Sequence, residues 1–225
     1  MPATSHSILD RPYAAAALPL AGIAVAVVLW LWLPPDGVQL LMDEGGPFQR
    51  PTELLYFAVA IAIALLLWGR IGPAVWVALC VTFVAFGARE MDLHKHFTGA
   101  SVLKLSFYSS AAPMQQRLVA AAFVIPILFA VGFLVFRFAR SWWRALRRRE
   151  PLATTVACFI LTMIVSKMFD RSVSILEDDY GIVASASAHA LVSALEEIME
   201  LSLPLIAAWG VLQSRRLVSA RLSRS

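Results

Sequence analysis

Residues 14–33, AAAALPLAGIAVAVVLWLWL, run for twenty positions without a charged side chain. A helix rises about 1.5 Å per residue, so this run covers about 30 Å, the hydrocarbon thickness of a bilayer. A secretory signal has an apolar region of roughly 7 to 15 residues followed by a small-residue cleavage site. This run is longer and ends in WLWLPPD, so it reads as an uncleaved anchor. Five further apolar runs follow at 54–69, 71–88, 118–138, 152–169 and 191–213. Arg70 to Pro73 forms a tight turn between the second and third, making a hairpin with Pro73 placed to open a helix. Pro19, Pro126 and Pro204 fall inside runs, where bilayer helices accept them as kinks.

The whole chain agrees with that reading. Its 225 residues are 60% hydrophobic and only 15% charged, too apolar and too charge-poor for a soluble domain. The expected fold is all-α: a polytopic bundle of about six transmembrane helices forming one integral membrane domain over residues 1–225. Cys80 and Cys158 each sit in an apolar run and behave as small hydrophobes, so no disulfide framework or CxxC site is possible.

The distribution of charge orients the chain. With the N-terminus placed in the cytoplasm, the inner segments hold Arg11, Arg70, the cluster Arg137 to Arg149, and the tail Arg215 to Arg224. That is 12 of the 19 cations against only Asp10 and Glu150, so both termini are expected inside. The net charge of +4 is therefore topological and points to no nucleic-acid partner. In the inner segment RFARSWWRALRRRE, Trp142 and Trp143 between arginines form the pattern of a short helix lying on an anionic leaflet, with the bilayer's anionic lipids as partner. The 16 arginines against three lysines and the lack of asparagine suit GC-rich codon usage, and the expected location is a bacterial inner membrane.

The polar residues that lipid should exclude gather at the outer ends of the spans. On the sixth, His189, Ser193, Glu196 and Glu200 recur at four, three and four, one stripe of a helix, with Glu197 beside it. Glu200 falls on the order of 10 Å below the surface, where a carboxylate needs a partner. Lys167, at matching depth on the fifth span beside Ser166 and Asp170, is the expected one. The third span exits into REMDLHKHFT, where Glu90 and His94 stand one turn apart if the helix continues, as do Asp92 and His96. An acid and an imidazole so placed can chelate a divalent metal or relay a proton. Whether any metal or other cofactor is bound is open at this point. The acidic loops MDEGGPFQRPTE and SVSILEDDYG read as solvated turns, the latter without the spacing of a calcium loop.

The motifs MDEGGP, REMDLHKHFT, SKMFDR and LEEIMEL resemble those of a set of uncharacterised bacterial multi-pass inner-membrane proteins, over most of their length. That resemblance implies the architecture and the acidic outer motifs, and no activity. The CREST membrane hydrolases, with a Ser, an Asp and three His on transmembrane helices, are similar in residue count, but their paired HxxxH on a late helix is missing here. Three function classes stay open. The first is an outer-facing metal-dependent or acid–base hydrolase or transferase using Glu90, Asp92, His94, His189, Glu196 and Glu200, in which the third and sixth helices converge on one pocket. The second is a non-catalytic assembly or sensor protein. The third, a proton-coupled carrier, would need polar residues through the full thickness, which the inner halves of the spans lack.

Overall fold

The computed structural model describes residues 7–43, 45–91 and 113–222, and among them every regular element is helical. Two short 3₁₀ turns, Ile8–Asp10 and Ala14–Ala16, lead into α1 (Ala17–Trp32). Then come α2 (Pro35–Met42), α3 (Gln49–Leu66), α4 (Pro73–Glu90), α5 (Met114–Arg147), α6 (Pro151–Tyr180) and α7 (Ala186–Leu222). Five stretches are long and apolar enough to cross a membrane: Ala14–Trp32, Gln49–Leu66, Pro73–Glu90, Ala120–Arg147 and Pro151–Tyr180. The last helix, α7, is long but less apolar. Between Glu200 and Arg215 its charge-free stretch is only residues 201–214, about 21 Å of helix.

The ends of α5 and α6 differ most from the sequence reading, each for a local reason. RFARSWWRALR is not a separate surface helix but the continuation of α5, because no proline or glycine interrupts it between Gly132 and Arg147. The helix stops where Arg149 turns left-handed at φ 55° and the Glu150 N–H closes on the Ala145 carbonyl at 3.0 Å. SVSILEDDY, read above as loop, is the end of α6. Its stop is Gly181, whose φ of 64° suits a residue without Cβ and lets the Ile182 N–H reach the Leu176 carbonyl. At α1, Pro34 and Pro35 end one helix and start the next, since a residue before proline is driven extended and proline suits the first helical turn.

The chain divides into two compact units, residues 1–52 with 143–225 and residues 53–142. In the first, α7 is the central element, packed by α1, α2 and α6. The core is Ala26 of α1, Val38 and Met42 of α2, and Ala190, Ala194 and Ile198 of α7. Small residues at four-residue spacing on α1 allow the close approach: Ala26 shares the core with Ala190 and Ala194 of α7, and Gly22 lies against Ile198 and Ser202. A Cβ on Gly22 would stand 3.0 Å from Ser202 Oγ and 3.1 Å from Ile198 Cγ2. Ser202 itself donates to its own helix at the Ile198 carbonyl, so this seam buries no unsatisfied hydroxyl.

Both ends of this unit are fastened by polar contacts. At one, Trp30 Nε1 donates to the carbonyl and hydroxyl oxygens of Ser187, each at 3.0 Å. At the other, Gln213 Nε2 donates to the Leu9 carbonyl at 2.9 Å and the Tyr13 N–H to Thr154 Oγ1 at 3.2 Å. Along α6, Thr155, Thr162 and Ser166 are buried on one stripe at spacings of seven and four. Thr155 satisfies its hydroxyl on the Pro151 carbonyl.

In the second unit α3 and α4 form the expected hairpin. Trp76 Nε1 donates to the Ala64 carbonyl, Trp68 and Trp76 meet edge to face at 4.6 Å, and Tyr56 packs on Phe86 at 5.6 Å. Gly87 lies directly under the Phe57 ring.

Candidate functional site

The polar stripe of α7 sinks into protein as it descends. His189 is exposed, Ser193 and Glu196 are half-buried, and Glu200 is buried. Opposite Glu200 stands the Lys167 turn of α6. Lys167 Nζ lies 2.8 Å from Glu200 Oε1 and 3.0 Å from Asp170 Oδ2, so one ammonium bridges a carboxylate across the interface and another on its own helix. Ser166 Oγ, fully buried, donates to Glu200 Oε1 at 3.5 Å. The pairing expected from depth alone is therefore present, and the hydroxyl one position away supports the same oxygen.

Burial is graded across the cluster. The Glu200 side chain keeps 10% of its surface exposed, against 35% for Lys167 and 41% for Asp170. Glu196, one turn before Glu200, lies within electrostatic reach of Asp170, Glu200 and Lys167. The cluster thus has two parts: a closed ion pair, Lys167–Glu200, and two more open carboxyl groups beside it, Asp170 on the same ammonium and Glu196 one turn away on α7. Ser166 is not an available nucleophile, because it is sealed and its hydroxyl is turned to Glu200.

The other expected site residues are placed differently. His189 lies seven residues before Glu196, about 10 Å along the axis, and is exposed. Glu90, in the second unit, is the last residue of α4 and pairs with Arg89 at 3.5 Å. Asp92, His94 and His96 lie outside the described residues, as does the convergence expected of them. Of the six candidates, Glu196 and Glu200 are brought together. Among the described residues no group of three or more His, Cys, Asp or Glu side chains is arranged to hold a metal ion.

Asp170 is the member whose role the sequence reading missed. Its signal was the i, i+3 spacing to Lys167, which puts both heads on one face of α6. No known family, curated protein or solved structure matches this chain.

Proposed function

We propose that this chain is a six-span protein of a bacterial inner membrane, with both ends in the cytoplasm and α7 as the sixth span, whose outward-facing cluster Lys167–Asp170–Glu196–Glu200 is an acid–base site of the hydrolase or transferase class. The observation that supports this is the crowding of three carboxyl groups around one ammonium: Lys167 is shared by Glu200 at 2.8 Å and Asp170 at 3.0 Å, with Glu196 one turn from Glu200 on the same stripe. General acid–base chemistry needs a positioned group that exchanges a proton with substrate or water. Glu196 fills that role, with Asp170 as its proton partner at the more exposed edge. Lys167 and Glu200 are positioning residues that lock α6 onto α7 and hold the charge of the floor fixed.

Infrared titration of the detergent-solubilised protein tests the reading. Stepping the pH should change the carbonyl stretch of a protonated carboxyl group, and this change should disappear in Glu196→Gln while persisting in Glu177→Gln at the exposed end of α6. An identical titration in wild type and Glu196→Gln would remove the acid–base role. The assembly or sensor reading would then stand, favoured by the closed Lys167–Glu200–Ser166 contact as a helix-docking device.

A further inference from the structure

Helix α5 carries one exposed strip that changes character along its length. Ile125, Phe129, Phe136, Arg140, Trp143 and Arg147 follow one another at spacings of four, seven, four, three and four, which keeps them on one side of the helix. All six are exposed, Phe136 by 94% and Trp143 by 51%. The Arg147 guanidinium stacks over the Trp143 ring at 5.3 Å, which holds the arginine alongside the indole. From Ile125 to Phe136 the apolar part runs about 16 Å, close to the depth of one leaflet's hydrocarbon, about half of 30 Å. The cationic part begins one turn later, with the tryptophan inside it, where an amphipathic ring sits at the headgroup level.

We infer that this strip is a binding site for one anionic phospholipid, its acyl chains lying along Ile125, Phe129 and Phe136 and its phosphate between Arg140 and Arg147. Charge complementarity selects an anionic headgroup, because Arg137, Arg144, Arg148 and Arg149 surround the same end while Glu150 is the nearest acid in sequence. The matched length selects a lipid over a protein segment. The inference rests on α5 being a membrane span and is independent of the acid–base site.

The test is native mass spectrometry of the full chain in mild detergent, titrated with phosphatidylglycerol or with phosphatidylcholine of the same chains. Wild type should retain phosphatidylglycerol preferentially. Each of Arg140→Gln and Arg147→Gln should weaken it about five-fold, and the two together about 30-fold. Phosphatidylcholine binding should not change, and Arg140→Lys should keep most of the affinity. Thermal midpoints of the variants identify any that fail to fold, and the single substitutions then carry the comparison. Equal retention of the two lipids by wild type would overturn the inference. So would unchanged phosphatidylglycerol affinity in folded Arg140→Gln and Arg147→Gln, or an equal loss in Arg148→Gln/Arg149→Gln. Because none of these readings involves Glu196, failure here leaves the infrared result untouched.

Discussion

Replacing Lys167 by methionine should destabilise the protein more than replacing Glu200 by glutamine, and the difference follows from what each partner keeps. Removing one member of a fully buried ion pair costs ~3 to 5 kcal/mol, because the other charge is stranded. Here a third of the Lys167 side chain is exposed, which screens the pair, so the loss from Lys167→Met scales to about 2–3 kcal/mol. Glu200 is then left in a nearly closed site with the Ser166 hydroxyl at 3.5 Å in place of an ammonium at 2.8 Å. In Glu200→Gln, by contrast, Lys167 keeps Asp170 at 3.0 Å and the amide still accepts from Ser166, so about 1 kcal/mol is expected. The double variant removes both charges together and should recover about 1–2 kcal/mol relative to the sum of the single losses. Reversible unfolding of the solubilised protein in mild detergent, followed by circular dichroism, measures all three. Strict additivity, or a larger loss in Glu200→Gln than in Lys167→Met, would refute the reasoning, since neither is compatible with a coupled pair in which only the lysine has a second carboxylate.

Three other outcomes follow from the geometry. Gly22→Val should cost about 1–3 kcal/mol and lower the thermal midpoint, because even its first carbon meets Ser202 and Ile198 at 3.0 and 3.1 Å; an unchanged midpoint would mean that α1 and α7 do not meet at this seam. Trp30→Phe keeps the packing but loses the indole N–H to Ser187, and about 1 kcal/mol should go with it, read in the same unfolding assay. Alkaline phosphatase fused after Arg149 or Gln213 should be inactive and after Asp179 active, which checks the orientation drawn from the arginine distribution.

The hairpin of α3 and α4 and the membrane-compatible runs were legible because each is a local matter. Hydropathy over twenty residues, a tight turn from Arg70 and a Pro73 at a helix start need no distant partner to be read. The ends of α5 and α6 were misread for the opposite reason. Polar and charged residues there suggested a separate surface helix after α5 and a solvated turn after α6, yet Arg, Leu, Trp and Glu all sustain a helix when no breaker intervenes, and polarity reports solvent rather than conformation.

The Lys167–Glu200 pair was accessible from depth counting, since two charges at similar height in adjoining apolar segments have few other solutions. Composition and periodicity thus determined by themselves that the described chain is helical, that five of its helices are membrane-compatible and that Lys167 and Glu200 stand at similar depth on adjoining segments. Only the tertiary structure decided which faces meet: Gly22 against Ile198 and Ser202, Ala26 in the core with Ala190 and Ala194, and Lys167 bridging Asp170 of its own helix and Glu200 of α7. A repeat of 3.6 residues fixes which side chains share a face of one helix. The rotation of that helix relative to its neighbour is set by where small residues allow backbones to approach, and that is a property of both surfaces at once.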